Sequence, residues 1–295
     1  MVGPRGPSRR LVLGATAGLA LGPRVQASTG RTPRRIVCLE WAAAEIVLAL
    51  GVVPVAIGDV RGYRDWVVEP ALPASVLDLG TRFEPNLELL RALAPDLVVA
   101  TRGYGAGAAL ARRFAPVVEI APHAAGAPPL DHIAAQARQV AVAIGREAMA
   151  STAIDGMRAT LRDARARLAA SVTDPVCVVS LFEGRMARVY GVGGLVGAVM
   201  EALGLRNAWT EPTPGWGFAS VGIERLARLD PTARVVVIDP VPGSVRALLA
   251  ASTLWASLPF VRAGRLGHVP PVWSFGGLAA AGRLATSLSD ALDPR

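Results

Sequence analysis

The chain has 295 residues, with 31 basic and 23 acidic side chains and a formal net charge of +8 at neutral pH. All of the basic residues are arginines, and they are scattered among acids instead of forming a stripe, which argues against a nucleic-acid-binding protein. The three histidines show no spacing that would bring them together on a metal ion, which argues against a metal centre held by the protein.

The N-terminal segment has the features of an export signal. Arg9 and Arg10 precede an apolar run over residues 11–22, as in twin-arginine signals, and this run is too short to span a bilayer. Ala27 offers a small residue at a cleavage position, so we expect a cleaved signal peptide at residues 1–27. Because no cysteine follows the run closely, we expect a soluble periplasmic protein without a lipid anchor.

Short apolar runs alternate with helical patterns in the first part of the mature chain, which is typical of an α/β protein. Predicted strands begin near residue 37 and cover residues 53–57, 97–100 and 117–120. Predicted helices cover residues 41–50, which end at Gly51, and residues 86–94, for which Asn86 is the expected N-cap. These elements predict an N-terminal lobe over residues 34–125.

Residues 130–170 form a helical region with glycines at positions 145 and 156. Its later half, residues 147–170, contains no proline and would be about 36 Å long as one continuous helix. Such a helix could cross from one lobe to another. From the local pattern alone, a two-helix hairpin on the surface remains an alternative.

A second alternation follows and predicts a C-terminal lobe over residues 175–295. The predicted strands cover residues 176–181, 188–190, 235–238 and 266–269, and the predicted helices cover residues 195–203, 244–251 and 278–292. Cys38 and Cys177 lie in apolar strand-like runs of different lobes. We therefore expect two buried free thiols instead of a disulfide bond.

Four motifs in the two halves carry a family resemblance. They are GTRFEPNLELL at residues 80–90, RGYG at 102–105, PFVRAGR at 259–265 and VPPVWSFG at 269–276. With these motifs in order from about residue 34 to the C-terminus, the chain resembles periplasmic binding proteins that hand ferric hydroxamate siderophores to an ABC importer. The resemblance implies the class III fold of this group, in which two α/β lobes are joined by a long bridging α-helix.

The resemblance also implies a ligand site. The siderophore itself holds the Fe³⁺ ion, so the protein needs no metal ligands and no cofactor. Arginine can donate several charge-assisted hydrogen bonds to the outward-facing oxygens, and large aromatic side chains can line the apolar part of the ligand. The expected ligand contacts are Arg82 and Tyr104 at the iron-bound oxygens and, on the aromatic walls, Trp216, Trp273, Phe275, Trp41 and Trp66.

The residues alone leave alternatives open at several of these positions. Arg82 could instead form a surface ion pair with Glu84 or Glu88, and Tyr104 could pack on its own lobe. Lobe packing is equally compatible with Trp41 and Trp66. Phe275 stands where the family can carry tyrosine, so one polar contact with the ligand is in doubt. Trp209 and Trp255 are expected to pack in the core.

The expected partners are an inner-membrane ABC permease with its ATPase, and the expected state is a monomer. Members of the family dock on basic residues of the permease through an acid on each lobe. Glu224 fits this role on the second lobe. On the first lobe, Ala108 and Ala109 stand where an acid is expected, so Glu88 or another nearby acid would substitute for it.

Two other functions compete with this interpretation. A receptor of the same fold could bind another metal chelate, such as a ferric catecholate, ferric citrate, haem or cobalamin. The glycine-rich segment at residues 191–197 resembles the turn of a dinucleotide-dependent oxidoreductase, although its spacing departs from the standard G-x-G-x-x-G pattern. No nucleophile turn is recognisable, so we expect a binding protein and not an enzyme.

Overall fold

The computed structural model describes residues 32–121, 126–169 and 172–293. The predicted signal peptide at residues 1–27 lies outside these ranges. No helix in the part of the chain described is long and apolar enough to cross a membrane.

The first half of the chain forms a five-stranded sheet in the order β3-β2-β1-β4-β5, with every neighbouring pair parallel. Its strands are β1 Ile36–Cys38, β2 Ala56–Ile57, β3 Leu77–Asp78, β4 Leu97–Thr101 and β5 Val117–Ile120. Its helices are α1 Trp41–Ala49, α2 Val60–Gly62 with a π-helical turn over Tyr63–Val67, α3 Leu87–Ala92 and α4 Gly107–Ala111. The predicted N-cap is confirmed, because the Asn86 side chain accepts a hydrogen bond from the backbone N–H of Leu89 at 2.9 Å.

The second half forms another five-stranded sheet, in the order β10-β9-β6-β7-β8, in which β7 runs antiparallel to both of its neighbours. Its strands are β6 Val176–Glu183, β7 Met186–Tyr190, β8 Phe218–Gly222, β9 Arg234–Ile238 and β10 Leu266–Val269. Two helices join the sheets, α5 Pro129–Ile144 and α6 Glu147–Leu168. The remaining helices are α7 Leu195–Ala202, a 3-10 turn over Ile223–Arg228, α8 Gly243–Ala250, α9 Thr253–Ser257, α10 Pro259–Arg262 and α11 Leu278–Leu292.

The helix α6 is the long bridging helix that the family resemblance predicted. Its 22 residues correspond to about 33 Å, and Gly156 does not interrupt it. Gly145 ends the preceding helix α5 in a left-handed conformation with φ 64°. Ile154 and Leu161 of α6 are buried in a core cluster that includes residues of α1 and α11. One face of the helix therefore belongs to the core shared by the two lobes, as a bridging helix requires, and most of its other residues are exposed.

Each sheet also has a separate core on its other face. One cluster lies between β6, β7, β9 and the helices α8 to α10, and another lies between the first sheet and the helices α3 and α4. Trp209 and Trp255 are buried in the former, which confirms their predicted packing role. Cys38 and Cys177 are free and buried, as predicted, and burial raises the pKa of the Cys177 thiol to about 12.

Candidate functional site

Polar side chains gather at the carboxyl edge of the first sheet. Glu40 follows β1, Asp59 follows β2, Arg82 lies in the loop after β3 and Tyr104 lies in the loop after β4. In open parallel sheets, ligands bind outside this edge, where the strand order reverses. Here the order reverses between β1 and β4, so the loops after these strands border the crevice.

Arg82 is anchored by two acids from other loops. Its Nη1 lies 3.1 Å from Oε1 of Glu40, and its Nε lies 3.8 Å from Oδ2 of Asp59. The side chain is only 14% exposed. The alternative partners considered from the sequence, Glu84 and Glu88, form no ion pair with it among the described residues. Arg82 is therefore a fixed group of the crevice and not part of a mobile surface pair.

Trp41 lies directly beneath this guanidinium group. The distance from Arg82 Cζ to the centre of the Trp41 ring is 3.5 Å, which is a cation–π contact. The indole N–H donates to the backbone carbonyl of Asp59 at 2.9 Å. Because Trp41 is only 3% exposed, its ring supports Arg82 from below and presents little surface to a ligand.

Glu40 is completely buried and links three elements of the first lobe. Besides Arg82, its carboxylate accepts hydrogen bonds from the Ala42 N–H at 2.7 Å and from Oγ1 of Thr101 at 3.0 Å. Loss of hydration raises the pKa of Glu40, whereas the hydrogen bonds and the charge of Arg82 act in the opposite direction. The position of Arg82 thus depends on a buried carboxylate that the sequence analysis did not single out.

Tyr104 lies beside Arg82 at the mouth of the crevice. The Arg82 Cζ is 5.4 Å from the centre of the Tyr104 ring, and this ring stacks on Phe83 with 5.3 Å between centres. Burial, followed by the nearby Glu40 carboxylate, raises the pKa of Tyr104 above its usual value. The phenol consequently stays neutral at physiological pH and retains its proton as a hydrogen-bond donor.

The second lobe supplies a continuous aromatic wall that begins against Trp41. Trp41 and Trp273 meet edge to face with 4.7 Å between ring centres, and Trp273 meets Phe275 at 5.2 Å. Phe275 in turn contacts Trp216 at 5.4 Å and Phe218 at 5.8 Å. Trp216 is 38% exposed, so it can present its ring to a bound molecule. Trp273 and Phe275 follow β10, which places them at the carboxyl edge of the second sheet.

Trp66 forms a second aromatic contact between the two lobes, separate from the contact between Trp41 and Trp273. It packs on Phe182, at the end of β6, with 5.3 Å between ring centres. Phe182 also contacts Arg188 of β7, which the sequence analysis did not select. Phe182, Phe218 and Arg188 were missed because they belong to strands, where alternate residues normally serve packing and only the assembled sheet shows which of them reach the crevice.

The glycine-rich segment at residues 191–197 serves to bring chain segments close together. A Cβ atom on Gly194 would lie 2.9 Å from the Trp216 carbonyl oxygen, and one on Gly197 would lie 2.0 Å from the carbonyl oxygen of Gly191. Gly194 therefore allows the turn before α7 to pack against the loop that carries Trp216, and Gly197 allows α7 to pack against Gly191 at the start of the same turn. This close packing accounts for the motif without a bound dinucleotide.

The two predicted docking acids lie on the surface. Glu88 is exposed on α3 of the first lobe, and Glu224 is exposed on the 3-10 turn of the second lobe. In the described ranges, no group of three or more histidine, cysteine, aspartate or glutamate side chains could hold a metal ion.

Comparison with known proteins agrees with this architecture. The family model described as periplasmic binding protein matches residues 36–272, which is most of the chain. The chain belongs to this family. It is 34% identical over 290 residues to the iron(3+)-hydroxamate-binding protein FhuD of Escherichia coli (strain K12). The alignment covers 97% of this chain and 96% of that protein.

Two further proteins are similar to this chain. The crystal structure of the siderophore-binding protein FhuD from Vibrio cholerae, bound to Fe³⁺-Desferal, matches it with a TM-score of 0.82 and 30% identity over 88% of this chain and 97% of that chain. The Fe(3+)-citrate-binding protein YfmC of Bacillus subtilis (strain 168) is 25% identical over 80% of this chain and 72% of that protein. The predicted two-lobed α/β fold is confirmed.

Proposed function

We propose that this chain captures ferric hydroxamate siderophores in the periplasm and delivers them to an inner-membrane ABC permease for iron uptake. The observation that carries the proposal is the fixed Arg82 guanidinium beside the neutral Tyr104 hydroxyl, opposite an aromatic wall. Within the described ranges, this arrangement offers donors to acceptor oxygens and apolar surface to a carbon skeleton, but no set of metal ligands. It suits an iron ion that arrives already enclosed by its chelator.

Each site residue has a proposed role in this crevice. Arg82 and Tyr104 donate hydrogen bonds to the iron-proximal oxygens of the hydroxamate groups. Trp216, Trp273 and Phe275 line the ligand from the second lobe, and Trp66 does so from the first. Trp41 acts through Arg82, because its buried ring fixes the plane of the guanidinium group from below.

The proposal predicts saturable quenching of tryptophan fluorescence when the mature protein is titrated with ferrichrome or ferrioxamine B. Arg82→Ala should weaken this binding by about 10–100-fold, because a charge-assisted hydrogen bond contributes roughly 1.5–3 kcal/mol. Arg112→Ala is a matched control, since Arg112 pairs with Glu119 on the exterior of the same lobe and should bind normally. Unchanged affinity in Arg82→Ala would contradict the proposed role.

The second candidate ligand is ferric citrate, which the similarity to YfmC favours. Ferric citrate presents carboxylate oxygens in place of hydroxamate oxygens, and a crevice with arginine donors can bind either group. The same titration with ferric citrate, a ferric catecholate and cobalamin separates these candidates. Saturation by one of these and not by a hydroxamate would retain the receptor function and reject the assigned ligand.

Transport also requires export and docking, and both are proposed from the sequence. A cleaved twin-arginine signal at residues 1–27 would release the mature chain into the periplasm as a soluble monomer. Glu224 on the second lobe and Glu88 on the first are the proposed contacts with the permease, and their exposure is consistent with this role. The proposed lobes are residues 34–125 and 175–295, joined by the helical region at residues 130–170.

A further inference from the structure

A second arginine points into the same aromatic environment from the other lobe. Arg188 lies on β7, and its Cζ is 4.2 Å from the ring centre of Phe218, 4.8 Å from that of Phe182 and 5.7 Å from that of Phe275. Phe275 touches Trp273, which lies 5.2 Å from Cζ of Arg82. The two guanidinium groups are thus connected by two rings of the wall.

Arg188 differs from Arg82 and Arg283 because no carboxylate among the described residues pairs with its side chain. Its Nε is buried without a hydrogen bond. By contrast, Arg82 pairs with Glu40, and Arg283 pairs with Glu69 and donates to the backbone carbonyl of Pro271. Removing a charged donor from water without replacing its hydrogen bonds is unfavourable, so the structure leaves Arg188 ready to receive an acceptor.

The charges around the two arginines point to the kind of acceptor. The charge of Arg82 is opposed by the nearby carboxyl groups of Glu40 and Asp59, whereas Arg188 lies against three aromatic rings and pairs with no carboxyl group in the described part of the chain. Aromatic walls exclude water and lower the local dielectric constant, which strengthens the attraction of Arg188 for an anion. The excess positive charge of the crevice is therefore located on the second lobe.

We propose that Arg188 binds a carboxylate at the periphery of the ligand and makes the protein prefer ferric hydroxamates that carry such a group. This inference rests on the proposed function, since the iron-proximal part of the ligand is still held by Arg82 and Tyr104. Each hydroxamate group carries one negative charge, so three of them around Fe³⁺ give a neutral core. The peripheral groups then determine the net charge, and a carboxylate would complement Arg188 through a charge-assisted hydrogen bond.

A matched pair of ligands tests this proposal. Ferrioxamine B ends in an ammonium group, and its succinylated derivative ends in a carboxylate on the same ferric hydroxamate core. We expect the mature wild-type protein to bind the carboxylate form about tenfold more tightly, as measured by tryptophan fluorescence. Arg188→Leu should reduce the ratio of the two dissociation constants to about one, while its affinity for ferrioxamine B is unchanged or slightly higher.

Arg185→Leu is the control, because Arg185 lies exposed in the turn before β7. This substitution removes the same charge from the same hairpin. This variant should keep the wild-type ratio. The proposal would be overturned if the wild-type protein bound the two ferrioxamines with equal dissociation constants. It would also be overturned if Arg188→Leu kept the wild-type preference for the carboxylate form, or if Arg185→Leu lost this preference to the same extent. Arg188→Gln provides a second test if the leucine variant does not fold. Binding of neither ferrioxamine nor ferrichrome would instead reject the proposed function and this inference with it.

Discussion

Arg82 shows how a single residue of the crevice combines stability and recognition. Two carboxylates and an indole ring fix its guanidinium group, so little side-chain entropy remains to be lost when a ligand binds. The same contacts make Arg82 a structural partner of Glu40, whose side chain is only 1% exposed. Substitution of Arg82 is therefore expected to affect folding as well as binding.

A double variant separates these two effects. Arg82→Ala should lower the free energy of unfolding by roughly 3 kcal/mol near pH 8, because it leaves a buried carboxylate without its cation. Adding Glu40→Gln removes this unpaired charge and should restore more than half of the loss, as measured by urea denaturation. Ligand affinity should remain as weak as in Arg82→Ala. A double variant no more stable than the single variant would show that the ion pair is not what Arg82 contributes to the fold.

At the scale of elements, a buried carboxylate connects α1 of the first lobe with α11 of the second. Oε1 of Glu45 accepts hydrogen bonds at 2.9 Å from the backbone N–H groups of Gly277 and Ala280, at the beginning of the 15-residue helix α11. Free N–H groups at a helix N-terminus favour such an acceptor. Glu45 lies one helical turn after Trp41, and Gly277 lies two residues after Phe275. The carboxylate consequently holds the two walls of the crevice together.

This contact predicts a specific dependence of stability on pH. Burial, which outweighs the two N–H donors and Arg283, raises the pKa of Glu45 from 4.5 to about 7, with nearby Glu40 acting in the same direction. A raised pKa means that the folded state binds the proton more strongly than the unfolded state does. The contribution of Glu45 to stability is therefore fully present below pH 4.5 and declines as the pH rises through 7.

Comparison with Glu45→Gln isolates this effect. The amide oxygen of glutamine can accept both N–H groups but does not titrate. The free energy of unfolding of the variant should therefore rise relative to that of the wild type by roughly 2.5 kcal/mol between pH 5 and pH 8. Urea denaturation of both proteins at intervals across this range measures the difference. The other titratable groups are common to both proteins and largely cancel. Parallel stability curves would contradict the raised pKa.

Two glycines of the helical region give opposite predictions for the same substitution. Gly156 lies within α6, where an added Cβ would meet nothing within 4 Å, so Gly156→Ala should stabilise the protein by about 0.5–1 kcal/mol. Gly145 has φ 64° at the end of α5, so Gly145→Ala should destabilise it by about 1–2 kcal/mol. Thermal unfolding of the two variants checks both signs, and ligand affinity should not change in Gly156→Ala. Equal effects would mean that the backbone conformation does not govern these positions.

At the scale of the whole molecule, several independent contacts oppose a large opening of the lobes. The bridging helix α6 contributes to the core shared by both sheets, and the pairs Trp41–Trp273 and Trp66–Phe182 join the walls directly. Hinge closure requires a few flexible residues that absorb large changes of backbone angles. The continuous 22-residue helix α6, which packs on the shared core along one face, offers no such hinge.

We therefore expect only a modest closure when the ligand binds. Small-angle X-ray scattering of the mature protein, free and saturated with ferrioxamine B, should give radii of gyration that agree within experimental error. Fluorescence titration under the same conditions verifies saturation. A clear decrease of the radius of gyration in the saturated protein would show that the contacts between the lobes open in solution.

The sequence by itself determined the alternating α/β pattern and the Asn86 cap, because these depend on residues close together in the chain, whereas the bridging role of the long helix was predicted from the family resemblance. It did not predict β8, whose residues are half-buried or exposed and lack a clear apolar pattern. The tertiary structure alone decided that Arg82 pairs with Glu40, 42 residues earlier, and that Arg188 lies against Phe218 and Phe275 with its Nε unpaired. Parallel strands bring distant loops to one edge of a sheet, and the meeting of two such edges determines which side chains share a site.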